Sequence, residues 1–220
     1  MKKTKFITFS GGCFSGKTTT MKLAKEVLES RGAKVVMLDE LMRDKKIVSI
    51  DDIRKNPVKY LNLQEEIITK KINMEHALHL KNEKCFVLAD RAITDSLFYL
   101  LFYVDKSQLD YKDMLRYEKL YAFIDEYAHR AFTNIYDVLI EFVPLSNNAC
   151  VRTCDDIYRP MNLLVQRHSE YRLIRTLNAA YLDPLSDCQY ISLDVTKTDK
   201  EQLKHLFNML YEKFYYHGIR

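Results

Sequence analysis

Residues 9–24 read FSGGCFSGKTTTMKLA, and three of the chain's five glycines, Gly11, Gly12 and Gly16, fall inside them. From Gly11 to Thr18 the spacing is G-x-x-x-x-G-K-T. An apolar run, KFITFS (5–10), leads into it, and a helix-forming segment that ends at Gly32 leads out of it. Strand, glycine loop and helix in that order make the pattern a site. Glycines let the backbone curl until successive N–H groups point inward, and the helix N-terminus adds the positive end of its dipole. Such a loop is shaped for phosphate oxygens. Gly11, Gly12, Cys13, Phe14, Ser15 and Gly16 would form the cradle, and Lys17 would bring a full charge to the β- and γ-phosphates. The Thr18 hydroxyl is placed to coordinate Mg²⁺, and Thr19 to reach the α-phosphate.

Outward from the loop, apolar runs alternate with helical segments. KFITFS (5–10), KVVMLD (34–39), KCFVLAD (84–90), YDVLIEFVP (136–144) and QYISLDV (189–195) are rich in Val, Ile and Phe. Short continuous runs of this kind read as strands buried on both faces, hence a parallel sheet. Helices are expected at 17–31, 57–81, 95–104, 112–133, 160–181 and 199–214. Met114, Tyr117, Tyr121, Ile124, Ala128 and Ala131 repeat at helical spacing and form one stripe for core or subunit packing. The alternation predicts a doubly wound α/β sheet. No repeat, low-complexity tract or Pro/Gly-rich linker divides residues 1–220, so one domain is expected.

Composition narrows the function classes. With 47% hydrophobic residues the chain can build a continuous core, and a net charge of +4 is well short of a polybasic nucleic-acid binder. That balance suits an anionic small molecule and leaves a DNA partner open. No apolar run approaches the roughly 20 residues that span a bilayer, so no membrane association is expected. MKKTKFITF passes directly into a strand, so no signal peptide is expected either. The five cysteines are scattered and odd in number, which suggests a reducing, cytoplasmic compartment. Cys150 and Cys154 lack a second ligand pair, and no motif completes a metal site around His76 and His79.

Three further stretches bear on chemistry. Asp90 and Arg91 end the third strand, where open α/β sheets hold ligands. The carboxylate would hold Mg²⁺ through water or accept a proton, and the guanidinium would grip an anionic group. After the second strand come Asp39, Glu40 and Arg43. Glu40 is the preferred base for an acceptor hydroxyl, since phosphoryl transfer chiefly needs an oriented nucleophile; capping of the next helix by Asp39 or Glu40 is the alternative. After the fourth strand, Arg152, Arg159, Arg167, Arg172 and Arg175 crowd together. Arg152 and Arg159 suit a lid, at about 146–160, that neutralises developing charge; the other three suit a solvated helix face. Gln64 interrupts the apolar row Leu61, Ile68, Ile72, and a buried amide needs partners; a nucleobase edge or a backbone carbonyl would serve. Tyr60, Phe98, Tyr99 and Phe102 would wall a base pocket or fill the core.

Together GGCFSGKTTT, LDELMR, LADRAITDSLFY and DDIYR resemble the P-loop nucleoside and nucleotide kinases, over about residues 4–195. The likeness is to thymidylate kinase and to the ATPase/kinase group that includes ribosylnicotinamide kinase. It implies a three-layer fold with a five-stranded parallel sheet of order 2-3-1-4-5 and a helical lid. It also implies ATP and Mg²⁺ as cofactors, with Lys17 and Thr18 serving them and Asp90 contributing to the metal. Glu40 resembles the carboxylate that follows strand two in deoxynucleoside kinases, Gln64 their base-reading glutamine, and Arg152 and Arg159 lid residues. Asp39, Arg43, Arg91 and Phe98 would then complete the acceptor site. Asp90-Arg91-Ala92 stands where deoxynucleoside kinases have E-R-S. Thymidylate kinases follow D-R with an aromatic residue and S-x-x-A-Y-Q, whereas here Ser96 precedes Leu97-Phe98-Tyr99. Phage kinases that act on hydroxymethylated bases in DNA share a similar core. The leading expectation is transfer of the ATP γ-phosphate to a deoxynucleotide; ribosylnicotinamide, another nucleoside or a base in DNA is the alternative acceptor. A homodimer stays open. A nucleotide-dependent switch is the rival class, against which the chain lacks N-K-x-D and has D-R where a GTPase would have D-x-x-G.

Overall fold

The computed structural model describes residues 3–12, 15–39, 55–143, 164–182 and 186–215. Five strands are present: β1 (Lys5–Ser10), β2 (Val35–Leu38), β3 (Phe86–Asp90), β4 (Tyr136–Phe142) and β5 (Gln189–Leu193). They form one sheet of order β2-β3-β1-β4-β5, and every pairing is parallel. The expected 2-3-1-4-5 order is therefore observed, and the architecture is that of a P-loop NTPase-like fold. Among the described residues six α-helices accompany the strands: α1 (Lys17–Ser30), α2 (Pro57–Lys81), α3 (Ile93–Tyr103), α4 (Tyr111–Arg130), α5 (Leu164–Tyr181) and α6 (Lys200–Tyr215). No helix among the described residues is long and apolar enough to cross a membrane.

The period of two along each strand divides the interior into two cores. Ile7 and Phe9 of β1, Leu88 of β3, and Val138, Ile140 and Phe142 of β4 face α1 and α6, joined by Met21, Leu28, Phe207 and Leu210. Phe6, Val87, Ala89 and Leu139 face the other way, into a cluster with Leu61 and Ile68 of α2, Leu97 of α3 and Tyr117, Ile124 and Ala128 of α4. The stripe on α4 thus belongs to the core. Alternation also decides the polar end of the sheet. Ser10 and Glu141, directly paired across β1 and β4, share the face of Phe6 and Leu139 and point toward α3 and α5, whereas Asp90 follows Phe86 and Leu88 onto the other face.

Local chemistry sets the element ends. Asn56 caps α2 by accepting from Lys59 N, with Pro57 at the first helical position, where the missing N–H is no loss. Asp110 caps α4 by accepting from Asp113 N. Helix α4 ends earlier than expected, at Arg130, and one π turn, Ala131–Ile135, leads straight into β4. Ala131, Phe132 and Ile135 of that turn are all buried in the core. Helix α3 starts at Ile93, two residues earlier than expected.

The connection leaving β1 runs toward β2 and the one leaving β4 runs toward β5. The crevice between their C-terminal ends is where a doubly wound sheet places its ligand.

Candidate active site

The loop after β1 is folded as its glycines demand. Gly11 has φ +137° and Gly16 φ +88°, both in the region that side chains avoid. Each also lies against a neighbour: a Cβ on Gly11 would meet the Phe142 carbonyl oxygen at 3.0 Å, and one on Gly16 would meet Val195 Cγ2 at 3.2 Å. The first glycine lets the loop press on the backbone of β4, and the second caps α1, which opens with no acidic residue in its first turn. Ordinarily Asp and Glu favour that turn; their absence leaves the positive end of the helix to an outside anion.

Lys17 begins α1 and is only 7% exposed. Its Nζ donates to the carbonyl oxygens of Gly11 (2.8 Å) and Gly12 (2.6 Å) and to Ser15 Oγ (3.2 Å). The ammonium thus lies across the mouth of the loop. Ser15 Oγ donates in turn to the Gly12 carbonyl. Thr18 is half-buried and Thr19 exposed. Cys13 and Phe14 lie outside the described residues.

Asp90 ends β3 opposite Phe9 of β1. It is 6% exposed, and its Oδ1 is buried without a hydrogen-bond partner among the described residues. An ionised oxygen kept from water costs several kcal/mol unless a cation or donor meets it. That orphaned oxygen fits a metal ion or a donor brought by a ligand. Arg91 follows with φ +77°, a strained conformation for an arginine. Its N–H donates to the Phe9 carbonyl at 2.8 Å. Its guanidinium lies 4.9 Å from the centre of the Tyr99 ring and donates to Tyr99 Oη at 2.9 Å.

Beneath the loop is a cluster that the sequence reading did not single out. Asp95, fully buried in the first turn of α3, accepts from Ser10 Oγ at 2.6 Å and from Gly11 N at 3.4 Å. Burial pushes its carboxyl up to about 6, against the opposing pull of Arg91, Lys17 and these two donors. Asn178 of α5 donates to Ser10 Oγ (3.0 Å) and to Glu141 Oε2 (2.9 Å) and accepts from Thr94 Oγ1 (2.5 Å). Tyr190 of β5 donates to Glu141 Oε1 at 2.8 Å. In the sequence Asp95 looks like an ordinary acidic residue in a helix's first turn, favoured by the dipole alone. Only the sheet order brings it to the end of β1.

The acceptor-side candidates are less gathered. Gln64 is 4% exposed on the buried face of α2. Phe98 is 1% exposed in an aromatic group with Tyr99, Phe102 and Tyr103, and Tyr60 meets the same group edge-on through Tyr103. Asp39 is exposed just beyond β2. Glu40, Arg43, Arg152, Arg159 and the expected lid at 146–160 lie outside the described residues.

No family model matches the chain, and no curated protein matches it. Among solved structures, a NadR protein in complex with NR matches over 99% of this chain and 53% of its own, with TM-score 0.58 and 18% identity. A NadR protein in complex with NAD and AMP-PNP matches over 99% and 51%, with TM-score 0.58 and 16% identity. The chain therefore spans about half the length of these structures. At that identity the likeness shows a shared fold.

Proposed function

We propose that the protein is an ATP-dependent phosphotransferase that moves the γ-phosphate of ATP to a nucleoside or nucleotide. One observation carries the reading: a buried lysine lies across a glycine loop on the central strand, one strand away from a buried carboxylate whose Oδ1 has no partner among the described residues. In this reading Lys17 exchanges its loop carbonyls for β- and γ-phosphate oxygens. Thr18 and Asp90 hold Mg²⁺, directly or through water; the ion would neutralise charge on the phosphates. The backbone from Gly12 to Gly16 and the N-terminus of α1 orient the triphosphate, and Arg91 grips the acceptor side. Gln64 reads the acceptor's polar edge, which would satisfy its amide. Glu40 takes the proton from an acceptor hydroxyl, while Arg152 and Arg159 close over the reacting phosphate and exclude water. These steps need positioning and charge more than covalent chemistry.

A deoxynucleotide of the thymidylate type is the acceptor suggested by the motifs. The structural neighbours favour a second reading, since one of them is a complex with NR and the other holds AMP-PNP. Ribosylnicotinamide is therefore the acceptor to set beside thymidylate. The test is incubation with labelled MgATP and a panel of thymidylate, deoxynucleosides, nicotinamide riboside and DNA bearing hydroxymethylated bases. Phosphorylation of one acceptor class is expected. Phosphate release that is indifferent to every acceptor would favour a nucleotide switch and reject the kinase.

A further inference from the structure

We propose that Asp95 is a positioning residue for the triphosphate: its buried carboxylate shapes the entry of the phosphate loop by holding Ser10 Oγ and Gly11 N–H. The inference rests on the kinase reading and deepens it. Asp95 sits in the first turn of α3, where a carboxylate ordinarily serves its own helix. Here the N-cap is Ala92, and no side chain caps that end. The carboxylate reaches across to the end of β1, bonding Ser10 Oγ at 2.6 Å and Gly11 N at 3.4 Å.

The surrounding groups make that arrangement directional. Glu141 accepts from Asn178 Nδ2, and Thr94 Oγ1 donates to Asn178 Oδ1, so the amide cannot be turned over. Its Nδ2 therefore donates to Ser10 Oγ, and the Ser10 proton is left to point at Asp95. Every member of the chain is buried except Tyr190, which closes it from β5. Fully satisfied buried networks rigidify what they touch. What this one touches is the residue pair at which the strand becomes the loop. Gly11 is also pressed on β4 at positive φ, so a small shift there would displace the carbonyl that meets Lys17. One consequence is specific: the N–H of Gly11 belongs to Asp95, and the phosphate cradle begins at Gly12.

The experiment compares wild type, Asp95→Ala and Asp95→Asn by MgATP affinity, steady-state kinetics and residue-resolved amide exchange. Asp95→Ala is expected to raise Kd and KM for ATP by about 10- to 100-fold, the range of a hydrogen bond to a charged acceptor. The value of kcat at saturating ATP should stay within about threefold, because bound nucleotide reorders the loop. Gly11 exchange should rise at least tenfold more than exchange at Ile7. Asp95→Asn keeps an acceptor for Gly11 N–H but loses the charge, and should recover about half of the lost affinity on a logarithmic scale, leaving a measurable deficit. Wild-type ATP affinity in Asp95→Ala overturns the proposal, or in Asp95→Asn if the alanine variant does not fold. Equal acceleration of exchange at Gly11 and Ile7 overturns it as well, since that marks general destabilisation. A wild-type protein that binds no MgATP sinks the kinase reading and this inference together. Binding by wild type that survives the substitution sinks this inference alone.

Discussion

Replacing Asp95 by asparagine should change how stability depends on pH, and the size of the change follows from its burial. In the folded chain the carboxyl is raised from 3.8 to about 6. Between those values the folded protein holds a proton that the unfolded chain has released. Stability therefore falls as pH rises through that window, which is opposite to the usual effect of a salt-bridged carboxylate. A difference of about two units at roughly 1.4 kcal/mol each comes to about 3 kcal/mol by neutral pH. For a chain of this length that corresponds to a melting temperature lower by about 6–12 °C at pH 7 than at pH 4, as far as this one group is concerned. Other carboxylates titrate in both proteins, so the difference between wild type and Asp95→Asn isolates the effect. Thermal melts of both, followed by circular dichroism from pH 3.5 to 7.5, should diverge steadily across pH 4–6. Parallel curves would refute the claim that Asp95 titrates while buried.

Other substitutions probe the remaining parts of the site. Gly11→Ala combines a positive φ with a 3.0 Å approach to the Phe142 carbonyl; it should destabilise the fold by roughly 2–4 kcal/mol, read from urea unfolding, and an unchanged midpoint would contradict the loop geometry. Gln64→Leu removes the amide from a buried position on α2; acceptor KM should rise at least tenfold while ATP KM stays put. A stability loss with unchanged acceptor KM would make Gln64 structural. Glu40→Gln should lower kcat by about 100-fold or more with ATP affinity kept; unchanged turnover would move the base role to Asp90.

What the sequence disclosed depended on how local the cause was. The five strands were legible because a parallel sheet buried on both faces leaves unbroken apolar runs such as FVLAD and YDVLIEF. The conformation of the glycine loop was legible because Gly11, Gly16 and Lys17 must keep fixed spacing on one turn of chain. Strand order came from family likeness, and the pairing of Phe6 with Val87 on one side and Tyr136 on the other carries no mark in composition. Asp95 and Asn178 were missed because they lie 85 and 168 residues from Ser10, the β1 residue that both contact. Lys71 and Glu75 look like a surface i,i+4 pair, yet Glu75 is fully buried and accepts from Tyr127 and Tyr136. Gln64 was legible as an oddity, one amide in an apolar row, and the structure does bury it. The positive φ of Arg91 had no sequence signal at all.

The most direct measurement is calorimetric titration of ATP, with and without Mg²⁺, into wild type and Lys17→Ala. The account predicts magnesium-dependent binding by wild type and a loss of at least 100-fold in Lys17→Ala, with a melting temperature changed by only a few degrees. Absence of magnesium-dependent binding to the wild-type chain, or equal affinity in both proteins, would contradict it.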